Sequence, residues 1–523
     1  MIYPYLLLSS IIIPFSVGVL FLILVKDMEA LLARFLGIFG ASFPFICAWV
    51  IYFNYDTNNL DAYNFELILP TGLESLGIYL HLGLNGLSLP LLLLATTVGL
   101  SAIIYTLFSK AIGNNIYVGL LFIMFSGLIG TFSSVDLFFF YFFHELALIP
   151  TFIIVMLWGG VDRHAIALEM TIYLTIGALL SLIGLISLYQ TSGAEAFNMI
   201  ELKMALASQP LSELFQTNIF ALLFFGFGIL VSLFPFHSWA PKGYYAAPTG
   251  VAMMHAGVLK KFGLYGLLQI AIPLLPLGAS NWASWLLVLG LCNILLIGLV
   301  TLAQKDLKKM VGYSSIMHMG YAFIGLGTLS ILGSGGVLIL LVAHGLSVAL
   351  LFLLSTCIYH RFKTFNMEKM GGLGAIAPNL SVLFGLSILA SIGLPGFANF
   401  WGEFVIFTAL AESDLTQGFL YLAVIGIIIS AIYGLKAIAL IVFGVPSEVL
   451  KEKFHNGSLR DMSYLEIFCS IILFASLLLY GIFPKVLSDP INESLSKYNA
   501  FISTSVESRL LNNLNLKLDT YNE

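Results

Sequence analysis

Charge is what this sequence has least of. Of its 523 residues, 9% are Asp, Glu, Lys or Arg and 59% are hydrophobic, whereas soluble domains carry about a quarter charged residues. So little polar side-chain surface cannot clothe a water-soluble fold, which excludes the soluble globular classes. With a net charge of −5 there is no basic surface for nucleic acid either.

Cysteine is scarce as well. Cys47, Cys292, Cys357 and Cys469 stand singly in apolar runs, with no CxxC and no histidine at ligand spacing. The four read as small core residues, and no zinc or Fe–S site is expected. No Walker motif and no GxGxxG after a strand is present, so no nucleotide site is expected and the chain itself holds no electrons.

What is there is a succession of long apolar runs. A hydrocarbon core about 30 Å thick takes roughly 20 residues of helix at 1.5 Å rise. Fourteen runs of that order lie near 3–25, 30–53, 84–109, 114–133, 135–158, 164–189, 217–238, 246–272, 282–303, 307–329, 335–359, 376–410, 416–444 and 462–484. They predict an all-α polytopic membrane protein with about 14 transmembrane helices. The first run has no basic n-region and no small-residue cleavage site, so it reads as a retained helix rather than a signal peptide.

Basic residues set the orientation. With the N-terminus outside, the inner side holds Lys26, Arg34, Lys110, Arg163, Lys242, Lys305, Lys308, Lys309, Arg361, Lys363, Lys369, Lys451, Lys453 and Arg460. The outer side holds only Lys203, Lys485, Lys497, Arg509 and Lys517. The positive-inside rule therefore places both termini outside, which is the periplasmic side if the membrane is a bacterial inner one.

Ionisable residues inside the runs are few, and each is expensive, at about 2.5–3.5 kcal/mol for an isolated mid-bilayer charge. Glu145, in "YFFHELALIPTFIIVMLWGG" (141–160), lies about ten residues into its run, roughly 15 Å deep. It is either a protonated carboxyl satisfied by a neighbouring helix or a member of a proton relay. Lys260 and Lys261, in "MMHAGVLKKFGLYGLL" (253–268), point about 100° apart, so one aims inward while the other snorkels or pairs. His318 in "GYSSIMHMGYAF" and His344 in "LLVAHGLSVALLFL" lie on consecutive helices and titrate near neutral pH. Glu403 follows "SIGLPG" in "SIGLPGFANFWGEFVIF" (391–407), where Gly393, Pro395 and Gly396 interrupt the helix. A similar break occurs in "VSLFPFHSWAPKGYYAAPTG" (231–250), with Pro235, His237, Pro241 and Pro248. Broken helices at membrane depth line cavities, and two at matching places mark inverted repeats.

The spacing predicts two five-helix repeats, each with one discontinuous helix. Residues 1–110 supply helices 1–3 with an outer hairpin near 54–83, 111–275 the first repeat (helices 4–8), 276–445 the second (helices 9–13), and 446–523 helix 14 with an outer polar tail. Residues 192–214 read as a surface helix, and Asp136 as an N-terminal cap.

"FFHELALIP", "FPFHSWAPK" with "APTGVAMMHAGVLKKFGLYGLL", "DLKKMVGYSSIMHMGYAFIGL", "AHGLSVALLFL" and "GLPGFANFWGEF" together resemble the antiporter-like subunits of respiratory complex I, of the M type, from about residue 75 to 445. The resemblance implies a non-redox, proton-translocating subunit of an NADH:quinone oxidoreductase. Its partners would be L-, N- and K/A/J/H-type membrane-arm subunits and the lipid bilayer. NADH, FMN, Fe–S clusters and quinone would be held by other chains, with no cofactor and no metal here. The family's fifth-helix glutamate falls on Glu145, its eighth-helix lysine on Lys261, its tenth- and eleventh-helix histidines on His318 and His344, and its twelfth-helix glutamate on Glu403. Lys260, His255, His237 and Lys436 are secondary candidates, Lys436 as a channel-lining residue of helix 13.

One position departs from the pattern. The family carries a lysine in the first half of the broken seventh helix, and spacing back from "PFH" puts Leu230 there. His144, His255 or Lys260 is left as partner for Glu145. His144 is the weakest of the three, since a sequence neighbour on a helix points elsewhere. The rival readings are an altered proton route, a non-pumping structural subunit, and an Mrp-type cation/proton antiporter subunit.

Overall fold

The computed structural model describes residues 2–23, 30–57, 62–109, 115–446 and 460–497. Among them eleven helices are long and apolar enough to cross a membrane. The first six are Tyr3–Ile23, Ala30–Phe53, Leu89–Phe108, Asn115–Ser133, Leu137–Trp158 and Arg163–Ser192. Three more spans are interrupted or carry charge. The eighth, 249–274, contains two π turns at His255–Leu259 and Leu267–Ala271. The tenth, Leu307–Gly327, includes Lys308 and Lys309. The twelfth is split into Pro378–Ser391 and Ala398–Ala411. These give the expected fourteen. The seventh is split too, Glu213–Val231 being followed by a short helix Trp239–Ala246. The ninth, eleventh, thirteenth and fourteenth cover 276–302, Ile331–Phe362, Asp414–Ile441 and Tyr464–Ile482.

Helix ends follow short-range chemistry. Asp136 Oδ1 accepts from the amides of Phe138 and Phe139 at 2.8 and 3.1 Å, the cap expected for the fifth helix. Ser463 and Glu466 form a reciprocal capping box at the start of the fourteenth. Strands β1 (Asn64–Leu69) and β2 (Leu80–Leu84) pair antiparallel as the hairpin, and Met199–Ser208 is the surface helix.

Hydrogen bonds sort the loops into two faces. The Tyr3 hydroxyl donates to Asn54, Phe197 N to Gly77 O, and Gly86 N to Ser494 Oγ, which gathers the N-terminus, hairpin, surface helix and the segment after the fourteenth helix on one face. Leu307 N donates to Phe365 O and Gly160 N to Ala246 O on the other. Lys26, Lys110, Lys451, Lys453, Arg509, Lys517 and most of the polar tail lie outside the described residues.

The eleventh helix is enclosed throughout its most apolar stretch, while the first, sixth, thirteenth and fourteenth are only 39% buried. Their outer faces carry bare aliphatic stripes, as at Leu168, Ile172, Ile176, Leu179 and Ile183. Apolar side chains inside and out are what a lipid-bathed bundle requires. With no hydrophobic drive between apolar helices, close packing must come from small residues. A Cβ on Gly345 would lie 2.5 Å from Gly257 O, and one on Gly257 3.0 Å from Gly345 O. These two glycines draw the eighth and eleventh helices together at the level of the candidate site.

Candidate proton-relay site

The breaks create the site. The seventh helix ends with Ser232 in the left-handed region, φ 69°, and the chain then runs through Pro235 before the helix resumes. Asn293, buried in a π turn of the ninth helix, holds the gap. Its Oδ1 accepts from Phe234 N at 2.7 Å and its amide donates to Ile316 O at 3.2 Å. Trp239 Nε1 reaches back across the break to Ile229 O at 3.2 Å. Backbone groups freed by a broken helix cannot stay unpaired in hydrocarbon, and these side chains answer them.

The π turn at 255–259 ends directly before the two lysines. Both are fully buried, so neither snorkels to the interface. Being about 100° apart they serve different neighbours. Lys260 Nζ donates to Ser315 O at 3.1 Å and Ser315 Oγ at 3.2 Å on the tenth helix, over the Tyr244 ring. Lys261 Nζ donates to Ala256 O at 3.0 Å and meets His344 Nδ1 of the eleventh helix at 2.8 Å. An ammonium has only donors, so facing it His344 Nδ1 is the accepting nitrogen.

From His344 the row continues. The His344 and His318 ring centroids are 5.8 Å apart. His318 Nδ1 lies 2.8 Å from Ser314 O, which can only accept, so the proton sits on Nδ1 and Nε2 is left open. That open nitrogen faces Glu403 Oε1 at 3.8 Å. Glu403 is buried against the break of the twelfth helix, where a Cβ on Gly393 would fall 2.6 Å from Glu403 Oε2. Lys261, His344, His318 and Glu403 thus form one buried line across the eighth, eleventh, tenth and twelfth helices, with Lys260 beside its start.

Glu145 lies apart from the line. Its side chain is 27% exposed, at the outer face of the fifth helix, with His144 Nδ1 3.5 Å from its Oε1. His144 does not point away, contrary to the expectation from its adjacency. Cβ directions 100° apart still allow a buried ring and a flexible carboxylate to converge. The His144 ring stacks on Phe262, the residue after Lys261, at 3.8 Å between centroids. Leu230, at the position of the expected lysine, is a buried part of the apolar core.

The secondary candidates divide. His255 packs between Trp239 and Tyr244, centroids 5.5 and 5.3 Å away. His237 stacks on Phe234 at the seventh-helix break. Lys436 is exposed and donates to Leu302 O at 3.4 Å, covering the end of the ninth helix, and does not join the row. Sequence reasoning passed over Asn293, Ser314, Ser315 and Asn399, whose amide donates to Ser347 Oγ at 3.3 Å beside His344. A lone amide in "GLCNILLIGL" was the available signal for Asn293. Among the described residues no cluster of metal-ligand type occurs.

Known proteins resemble this chain over most of its length. A family model described as "NADH:quinone oxidoreductase/Mrp antiporter, TM" matches residues 134–432. The NADH-quinone oxidoreductase subunit M of Rickettsia felis is 32% identical over 460 residues, 88% of this chain and 91% of its own length. The F(420)H(2) dehydrogenase subunit M of Methanosarcina mazei is 33% identical over 452 residues, covering 85% of this chain and 88% of the relative. Among solved structures, a chain of respiratory complex I from Thermus thermophilus with bound NADH superposes with a TM-score of 0.82 at 28% identity, covering 94% of this chain and 99% of that one. On the family match and on its near full-length likeness to M subunits, the chain belongs to the NADH:quinone oxidoreductase/Mrp antiporter membrane-subunit family.

Proposed function

We propose that this chain is the M-type membrane-arm subunit of a proton-pumping NADH:quinone oxidoreductase and moves protons along its buried line of titratable groups. The observation that carries the reading is the line itself, Lys261, His344, His318 and Glu403 on four different helices: 2.8 Å from Lys261 Nζ to His344 Nδ1, 5.8 Å between the two imidazole centroids, and 3.8 Å from His318 Nε2 to Glu403 Oε1. A proton passes directly over the first gap and through one bridging water over each of the others. Burial and mutual charge couple the four groups, so a charge change at one end alters proton affinity at the next.

In this reading NADH, FMN, Fe–S clusters and quinone belong to partner chains, and L-, N- and K/A/J/H-type subunits adjoin this one. The face carrying the N-terminus and the hairpin is the periplasmic one. Residues 111–275 and 276–445 are the two inverted repeats, each contributing one broken helix.

The test is purification of the native complex, identification of its subunits, and NADH:quinone-driven acidification in proteoliposomes. Glu145→Gln, Lys261→Ala and Glu403→Gln should each depress proton movement at least about a hundredfold while the complex still assembles. Cation/proton exchange by the chain with no quinone reductase present would instead identify an Mrp-type antiporter. Unchanged acidification in all three variants would identify a structural subunit.

A further inference from the structure

We propose that His144 is the proton-carrying partner of Glu145 and links it to the eighth helix. The inference rests on the proton-translocating reading above and adds a residue to it.

Glu145 is a carboxylate at the edge of an apolar helix, and among the described residues the cation-capable side chain within ion-pair distance is His144. Neither His144 Nδ1 nor Glu145 Oε1 has a hydrogen-bond partner among the described residues. The two face each other at 3.5 Å, slightly beyond a direct bond, a separation that a small rotation of the glutamate closes. His144 is itself buried, so its ring exchanges protons only with what surrounds it.

The surroundings are specific. Face-to-face stacking on Phe262 fixes the imidazole plane against the eighth helix, one residue beyond Lys261. The titratable groups turned toward the pair are few. On the fifth helix Tyr141, one turn earlier, lies beside Glu145. On the eighth helix His255 packs between Trp239 and Tyr244, and Lys260 lies over the same Tyr244 ring. The fourth helix offers only Tyr117, which packs on Trp158 at the far end. On the sixth, Arg163 and His164 stand at the end remote from the hairpin, Tyr189 stacks on Phe197 near the hairpin, Glu169 is held by Lys242 at 2.8 Å, and Tyr173 lies between. The seventh contributes Leu230, buried and without charge.

A histidine suits the place because it has two nitrogens. One can take a proton from Glu145 while the other gives one up toward the eighth helix, and the ring returns to its starting charge with the opposite tautomer. The reverse transfer restores the original tautomer. No other reactant is needed: an O–H bond of Glu145 breaks as an N–H bond of His144 forms, and on the eighth-helix side one N–H bond breaks as another forms. The Glu145–His144 pair thereby reaches the eighth helix at Phe262, one residue beyond Lys261, where the line that ends on Glu403 begins.

The test uses the assembled complex in proteoliposomes with Glu145→Gln, His144→Phe and His144→Gln. His144→Phe keeps a ring to stack on Phe262 and carries no proton. His144→Gln keeps a polar group of similar volume and guards against a packing loss. Infrared titration identifies the Glu145 carboxyl band by its disappearance in Glu145→Gln. Both His144 variants should alter the pH response of that band and lower coupled proton translocation about a hundredfold, the low end for a positioned acid–base group. Parental translocation and an unaltered band in the His144 variants, with Glu145→Gln inactive, would overturn the proposal and leave the broader reading intact. If Glu145→Gln pumps normally while the Glu145 band of the parental complex is altered by the His144 substitutions, the pairing holds and the translocating role of Glu145 falls.

Discussion

Gly393 is a place where one methyl group would act on a charge. It adopts φ +79°, which costs an alanine roughly 1–2 kcal/mol. The added carbon would also stand 2.6 Å from Glu403 Oε2. Gly393→Ala should therefore leave the complex assembled and displace the carboxylate from His318, with acidification falling about as far as in Glu403→Gln. Parental pumping in that variant would show that the 3.8 Å contact is not on the route. Asp136, which precedes the fifth helix, makes a second prediction. Burial raises its carboxyl from 3.8 to about 6, although two backbone amides donate to it. The folded chain then holds this proton more tightly than the unfolded chain. Its stabilising contribution is complete below about pH 4 and is lost as pH rises through about 6, roughly 3 kcal/mol in all. Thermal unfolding between pH 4 and 7 should show that slope, and Asp136→Asn should flatten it. At this scale the titratable members of the site were legible, because a charge in an apolar run is costly and stands out. Ser315 and Asn293 were not, since a hydroxyl or amide inside a membrane helix commonly bonds its own backbone.

The two breaks were readable from Pro235 and Pro395, which remove a donor and clash with the preceding turn. How each break is held was not readable, because the holding group lies on another helix. Asn293 is 59 residues from Phe234, whose amide it accepts at 2.7 Å. Asn293→Leu keeps the volume and strands that N–H in apolar surroundings, at about 1–3 kcal/mol. The variant complex should melt lower in detergent, and hydrogen exchange at Phe234 should rise; unchanged exchange would mean that the break needs no such support. The π turns of the eighth helix were equally hidden. Nothing proline-like marks His255–Leu259, and the turn is fixed by contact with its neighbours. Gly257 and Gly345 carry the same lesson: each is ordinary in its run, and only their mutual approach brings Lys261 to 2.8 Å from His344.

For the whole molecule, the number of helices was legible because hydrocarbon thickness sets a length that the chain must meet fourteen times. Which helices touch was not, since in lipid every face is apolar and hydropathy no longer separates inside from outside. Sidedness comes from the basic residues alone and can be tested directly. The hairpin and the loop after the eleventh helix lie on opposite faces, and Leu73 and Lys363 are exposed there. Cysteine placed at either position is an accessible thiol. The native Cys47, Cys357 and Cys469 are buried and Cys292 is half-buried within the ninth helix, so background labelling is low. On the sidedness that the basic residues indicate, a membrane-impermeant maleimide added from the outer side of sealed membranes should label Leu73→Cys at once, and Lys363→Cys only after the membrane is opened. The reverse pattern would place the N-terminus inside, turn the buried row end for end, and require protons to enter from the side to which the present assignment delivers them.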